Sequence, residues 1–272
     1  MTQTAGGHAG SRSTITLRSH GLDLRAVLLL PDGPSPAPVV VIPFYDVASL
    51  LGESSPLYPD TNAQPSRAFA RAFANAGVGV LALPWWAESA VAHPAPLDLH
   101  ARYAPIAAAH LARYPEVTGL GRSVADALLA IDALTQVNGV DGSRIGMFGH
   151  SLGGKVALFT AALDTRVAAC ITHEPGLGLA HSNWSDPWYL GDAVPQDRDL
   201  DEVLSLIAPR PVLYAGGGAA DGAHNRALVD AARATGARIE TLSHMNGHPV
   251  PADALRRMIT WMRERLGVTP RR

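Results

Sequence analysis

Cysteine is nearly missing: Cys170 stands alone in 272 residues, so no intrachain disulfide can form and the small disulfide-stapled folds are excluded. It lies in the apolar run VAACI, the setting of a buried inert thiol rather than of a nucleophile. Lysine is as scarce, with Lys155 alone among many arginines. Neither charge sign dominates. The 22 basic and 24 acidic residues leave a net charge of −2 with no basic patch, which argues against a nucleic-acid partner. No stretch approaches the roughly 18 apolar residues that a membrane span needs. The opening MTQTAGGHAGSRS lacks the apolar core of a secretory signal, so a cytoplasmic, membrane-free protein is expected. There is no internal repeat.

What remains is globular: 47% hydrophobic and 17% charged residues, in a chain long enough to bury roughly three-quarters of its unfolded surface. Residues 1–12, rich in Gly, Ser and Thr, are expected to form a disordered tail, with a single domain over 13–272. STITLRS and LDLRAVLLLP flank a His-Gly pair and read as an antiparallel hairpin. PVVVIP, VGVLALP, RIGMFG, VAACITH, PVLYAGG and RIETLS follow as strands, the first two continuous apolar runs of the buried kind. Helical periodicity separates most of them, in SRAFARAFANAG, GLGRSVADALLAIDALTQV, SLGGKVALFTAAL, NRALVDAARATG and ADALRRMITWMRERL. Strands alternating with helices define an α/β fold, a mostly parallel sheet with helices on both faces. Two segments, about 85–115 and 174–208, read as irregular insertions.

One stretch carries chemistry. In GHSLG, residues 149–153, Gly149 and Gly153 bracket Ser151 between a strand and a helix. A tight strand–helix turn there would hold the hydroxyl above the carboxyl ends of the strands, where open α/β sheets bind ligands. The helix start beneath it favours developing negative charge. A serine needs a base, and of the 11 histidines His248 is best placed, in the loop between the last strand and the last helix. His244 is its rival; His150, beside the serine, is expected to pack locally. A zinc pair from His244 and His248 would need one helix face, which NGHP does not form, so no metal is expected. The base needs an orienting carboxylate. Asp221, in the glycine-rich loop after strand 211–215, is the expected acid, with Glu174 in HEP as the alternative or as a pocket-lining group.

The order Ser151, Asp221, His248, each after a successive strand, resembles that of the α/β-hydrolase family, and the compact build is similar to the dienelactone-hydrolase-like esterases. The resemblance covers about residues 13–267. It implies a mostly parallel eight-stranded sheet, a covalent acyl-serine intermediate and no cofactor. Two departures matter. Dienelactone hydrolases proper use a cysteine nucleophile where this chain has Ser151, so lactone specificity does not carry over. Many esterases also show His-Gly-Gly after the third strand, where this chain has IPFYDV. The resemblance places the oxyanion donors at the N–H of Leu152 and of Tyr45, with Phe44 second; Pro43 has no N–H.

Trp85, Trp86, Trp184 and Trp188 fall in the two irregular segments and, with Phe44 and Glu174, are expected to line a partly apolar pocket. The expected activity is hydrolysis of a small to medium carboxylic ester or lactone. An acyltransferase using the same acyl-enzyme and a non-catalytic ligand-binding protein are the alternatives.

Overall fold

The computed structural model describes residues 10–59 and 67–268. Its strands are β1 (Gly10–Ser19), β2 (Leu22–Pro31), β3 (Ala37–Phe44), β4 (Gly79–Pro84), β5 (Val140–His150), β6 (Val167–His173), β7 (Pro211–Gly216) and β8 (Arg238–Ser243). They form one eight-stranded sheet in the order β1-β2-β4-β3-β5-β6-β7-β8. β2 runs antiparallel to both of its neighbours, and every other pairing is parallel. β3 and β4 are buried along their whole length, which is why their sequences are unbroken apolar runs. β8, at the edge, buries only Ile239 and Leu242.

The helices are α1 (Val47–Leu50), α2 (Phe69–Asn75), α3 (Trp86–Ser89), α4 (Leu99–Arg113), α5 (Gly119–Leu134), α6 (Leu152–Leu163), α7 (Leu200–Leu206), α8 (Arg226–Ala234) and α9 (Ala252–Arg265). They cover the sheet from both sides. One apolar core joins the sheet to α3 through α8, and a second joins its other face to α1, α2 and α9. Among the described residues, no helix is long and apolar enough to cross a membrane.

Three expectations need correction. β1 begins at Gly10, so residues 10–12 belong to the sheet, and residues 1–9 of the expected tail lie outside the described residues. Segment 85–115 is largely helical, as α3 and α4, although Pro105 lies inside α4. Asp98 caps α4 by accepting from the Ala101 N–H at 2.8 Å. A buried Glu88–Arg102 pair, 2.5 Å apart, then ties α4 to α3, and the Tyr103 hydroxyl donates to the same carboxylate at 2.8 Å. Tertiary bonds thus outweigh the helix-breaking preference of proline. Segment 174–208 contains two short 3-10 turns and α7.

Candidate active site

Ser151 sits between β5 and α6 with φ 56° and ψ −120°, a region that side-chain-bearing residues rarely occupy. The turn is that sharp because its neighbours are glycine. A Cβ on Gly149 would run into the Gly153 carbonyl, and one on Gly153 into the Pro43 carbonyl at the end of β3. The Ser151 N–H donates to the His173 carbonyl at 2.9 Å, which fixes the turn to β6.

Parallel register brings the other groups to this edge. His150 lies opposite His173, His173 opposite Ala215, and Gly216 opposite Ser243. The loops leaving β6, β7 and β8 therefore start side by side. His248, in the β8–α9 loop, presents Nδ1 at 3.5 Å from Oε2 of Glu174, the first residue after β6. Its ring centre lies 4.7 Å from that of His150. Glu174 also has a left-handed backbone, φ 48°, and its other oxygen accepts from the N–H groups of Gly217 and Gly218 at 2.5 and 2.6 Å. Burial opposes its ionisation, but the bonds to His248, Gly217 and Gly218 prevail and hold its carboxyl below the ordinary glutamate value. A Cβ on Gly218 would lie 2.5 Å from Oε2 of Glu174. The run Gly216–Gly218 is thus the bare backbone on which this carboxylate lands.

Asp221, the expected partner of the histidine, faces elsewhere. Its carboxylate accepts from the N–H groups of Gly176 and Leu177 at 2.7 and 2.9 Å and from the Tyr214 hydroxyl at 2.8 Å. It is 1% exposed, and burial raises its pKa. Asp221 props the loop that carries Glu174. Lys155 assists from α6, donating to the Pro175 carbonyl at 2.7 Å, with its ammonium 3.7 Å from the Trp184 ring centre. Burial lowers the Lys155 pKa to about 7. Trp184 donates to the Gly176 carbonyl at 2.7 Å, and Asn225 donates to that of Leu177. The sequence reading missed this clamp; the signal was a lone lysine four residues past the serine.

Most of the remaining expected site residues are buried. Leu152 is buried at the start of α6, and Tyr45 follows β3, whose Pro43 carbonyl lies against Gly153. Phe44 is 2% exposed, packed among Tyr58, Phe69 and His150. Trp85 and Trp86 both donate to the Ser123 hydroxyl at 3.0 Å, fastening α3 to α5. Trp188 packs on His100 and Tyr103. All four tryptophans are at most 4% exposed, so in this structure they brace the insertions rather than face solvent in a pocket. Cys170 is buried, and its thiol is pushed up to about 12. Among the described residues, no group of three or more His, Cys, Asp or Glu is arranged to hold a metal ion. None of their hydrogen bonds joins Ser151 Oγ to His248; such contacts commonly tighten only with substrate bound.

The strand order, the strained serine turn and the placement of the following loops define an α/β-hydrolase fold. The chain is similar to known proteins in part of its sequence and in its fold. The family described as "Glucuronyl esterase, fungi" matches residues 126–189. Protein YtaP of Bacillus subtilis (strain 168), which carries a provisional hydrolase designation, is 32% identical over 99 residues, 34% of this chain and 33% of its own. The alignment thus spans a third of that relative. Among solved structures, a glucuronoyl esterase from Solibacter usitatus superposes with TM-score 0.67 at 14% identity, covering 97% of this chain and 88% of that one. A provisionally designated dienelactone hydrolase from Klebsiella pneumoniae superposes with TM-score 0.64 at 15% identity, covering 96% and 100%. The two superpositions, at 14% and 15% identity, show the shared fold.

Proposed function

We propose that this protein is a serine hydrolase that cleaves a carboxylic ester through Ser151, His248 and Glu174. The observation that carries the reading is the meeting of His248 Nδ1 and Glu174 at 3.5 Å on the sheet edge that holds the strained Ser151. With Nδ1 turned to the carboxylate, Nε2 is the free nitrogen and the base. Nε2 takes the Ser151 proton as the hydroxyl attacks the ester carbonyl, then returns it to the departing alcohol. Water, activated by the same nitrogen, releases the acid and restores the serine. Glu174, kept ionised by its N–H partners, holds the imidazole in one tautomer and offsets the charge it acquires. The N–H groups of Leu152 and Tyr45 are assigned to the oxyanion.

The substrate assigned is an ester of a uronic acid. Support comes from the stretch similar to the fungal glucuronyl esterases, residues 126–189, which contains both Ser151 and Glu174. The test is labelling with a fluorophosphonate probe, followed by turnover of methyl glucuronate against p-nitrophenyl esters of rising chain length. Label on Ser151, lost in Ser151→Ala, and preference for the uronate are expected. An unlabelled, inactive wild-type protein contradicts the reading and favours a ligand-binding role.

A further inference from the structure

Four histidines crowd the sheet edge beside Ser151, and the proposed reaction employs one. His150 and His173 are buried, His244 is half-buried and His248 exposed. Nδ1 of His150 lies 2.9 Å from Nδ1 of His173, and Nε2 of His173 lies 2.9 Å from Nε2 of His244. The His173 and His244 rings are within 11° of parallel. Sequence and register permit this chain. His150 and His173 are paired across β5 and β6, and His173 reaches His244 past the end of β7, where Gly217 leaves the way open. A Cβ on Gly217 would lie 2.7 Å from His244 Nδ1.

Two imidazole nitrogens at such a separation need one hydrogen between them. With none, two lone pairs oppose; with two, the hydrogens collide. The direction of the chain is set at its outer end. The Asn246 N–H points to His244 Nδ1 at 3.4 Å, so Nδ1 is bare and Nε2 carries the hydrogen. His244 then donates to His173 Nε2, His173 donates from Nδ1 to His150 Nδ1, and His150 keeps its hydrogen on Nε2.

We propose that this imidazole chain is a positioning device, fastening the loop that bears His248 to β6 and so to Glu174, the residue next to His173. The loop needs such a fastening. Its backbone tie to β7 is the His244 N–H to the Gly216 carbonyl at 3.1 Å, and the His248 side chain is 56% exposed. His150 meets Phe44 and Phe69 on its other sides, with Arg67 and His248 the further titratable groups that act on it. His173 faces Glu174, His244 and His248. Burial holds His150 and His173 well below the ordinary histidine value, His173 down to about 3, so both remain uncharged and the single-hydrogen bonds persist near neutral pH.

The proposal rests on His248 as the base, and its test has one arm that does not depend on turnover. Nitrogen-15 NMR of histidine-labelled protein should show His244 protonated at Nε2 and His173 at Nδ1, both hydrogens protected from exchange. A different proton arrangement, or a charged His173 at pH 7, overturns the chain even in a protein that hydrolyses nothing. The kinetic arm compares two variants. His244→Phe keeps a ring but removes the bond, and should lower kcat about tenfold or more with little change in KM. His244→Gln, whose amide N–H can still donate to His173, should recover kcat to within about threefold of wild type. Equal kcat for His244→Phe and wild type, or no recovery in His244→Gln, overturns the positioning role.

Discussion

Glu174 and His248 meet at 3.5 Å from loops that follow β6 and β8, while Asp221, in the loop between them in sequence, turns its carboxylate to Gly176, Leu177 and Tyr214. One carboxylate faces His248 and the other holds the loop that presents it. Their replacement therefore has different consequences.

Asp221→Asn puts an amide N–H₂ against donors that need acceptors. The buried N–H groups of Gly176 and Leu177 and the Tyr214 hydroxyl compete for one remaining oxygen. A loss of about 2–4 kcal/mol in unfolding free energy is expected, measurable by urea titration. An unchanged urea midpoint contradicts the clamp.

Gly218→Ala tests the bare backbone beneath Glu174. The added Cβ would lie 2.5 Å from Oε2 and push the carboxylate away from His248. A fall in kcat of about tenfold or more is expected, without a matching loss of thermal stability. Full activity in this variant would show that the glycine is a turn residue and nothing more.

Lys155 makes stability depend on pH. Unfolded, it titrates near its ordinary value of about 10.4. Folded, burial brings it down to about 7. Between those limits the unfolded chain binds more protons, so stability rises with pH. Lys155→Met removes this term. Wild type should gain on the variant from pH 7 to pH 9, by up to about 1.4 kcal/mol per pH unit in urea titrations. A difference that stays constant across this range contradicts a depressed lysine.

Glu88 and Arg102 pair in the interior with side chains 7% and 1% exposed. Glu88→Ala leaves the guanidinium buried without its partner and should cost about 3–5 kcal/mol. Thermal melts of Glu88→Ala and of the double variant with Arg102→Met separate the stranded charge from the lost packing. Equal melting temperatures for wild type and Glu88→Ala contradict the pair's role.

Much of the architecture was legible in the sequence because burial on both faces forces continuous apolar strands, as in β3 and β4, and the helices between them keep their period. The serine turn was legible because Gly149 and Gly153 are steric requirements. The acid was not. Position after the penultimate strand favours Asp221, and only three-dimensional register shows that the Glu174 carboxylate lands on Gly217 and Gly218. The glycine run was read as the setting of Asp221, whereas in the structure it lies under the Glu174 carboxylate. α4 was missed because the four prolines between 94 and 115 argue against a helix, whereas Glu88 holds Arg102 and Tyr103 through tertiary bonds that no local pattern records; the Asp98 cap was the local signal. The tryptophans were placed in a pocket by position alone; Ser123 and the Gly119 and Gly176 carbonyls, which satisfy the indoles of Trp85, Trp86 and Trp184, lie far away in sequence or across a turn.

The central claim is that Ser151, His248 and Glu174 act together on an ester. The most direct measurement is kcat for a p-nitrophenyl ester in Glu174→Gln beside Asp221→Asn, each confirmed folded by circular dichroism. Glu174→Gln should lose kcat by up to about 10⁴-fold, because the imidazole is left in the wrong tautomer, with Asp221→Asn losing far less. The reverse ranking would contradict the assignment and return the acid's role to Asp221.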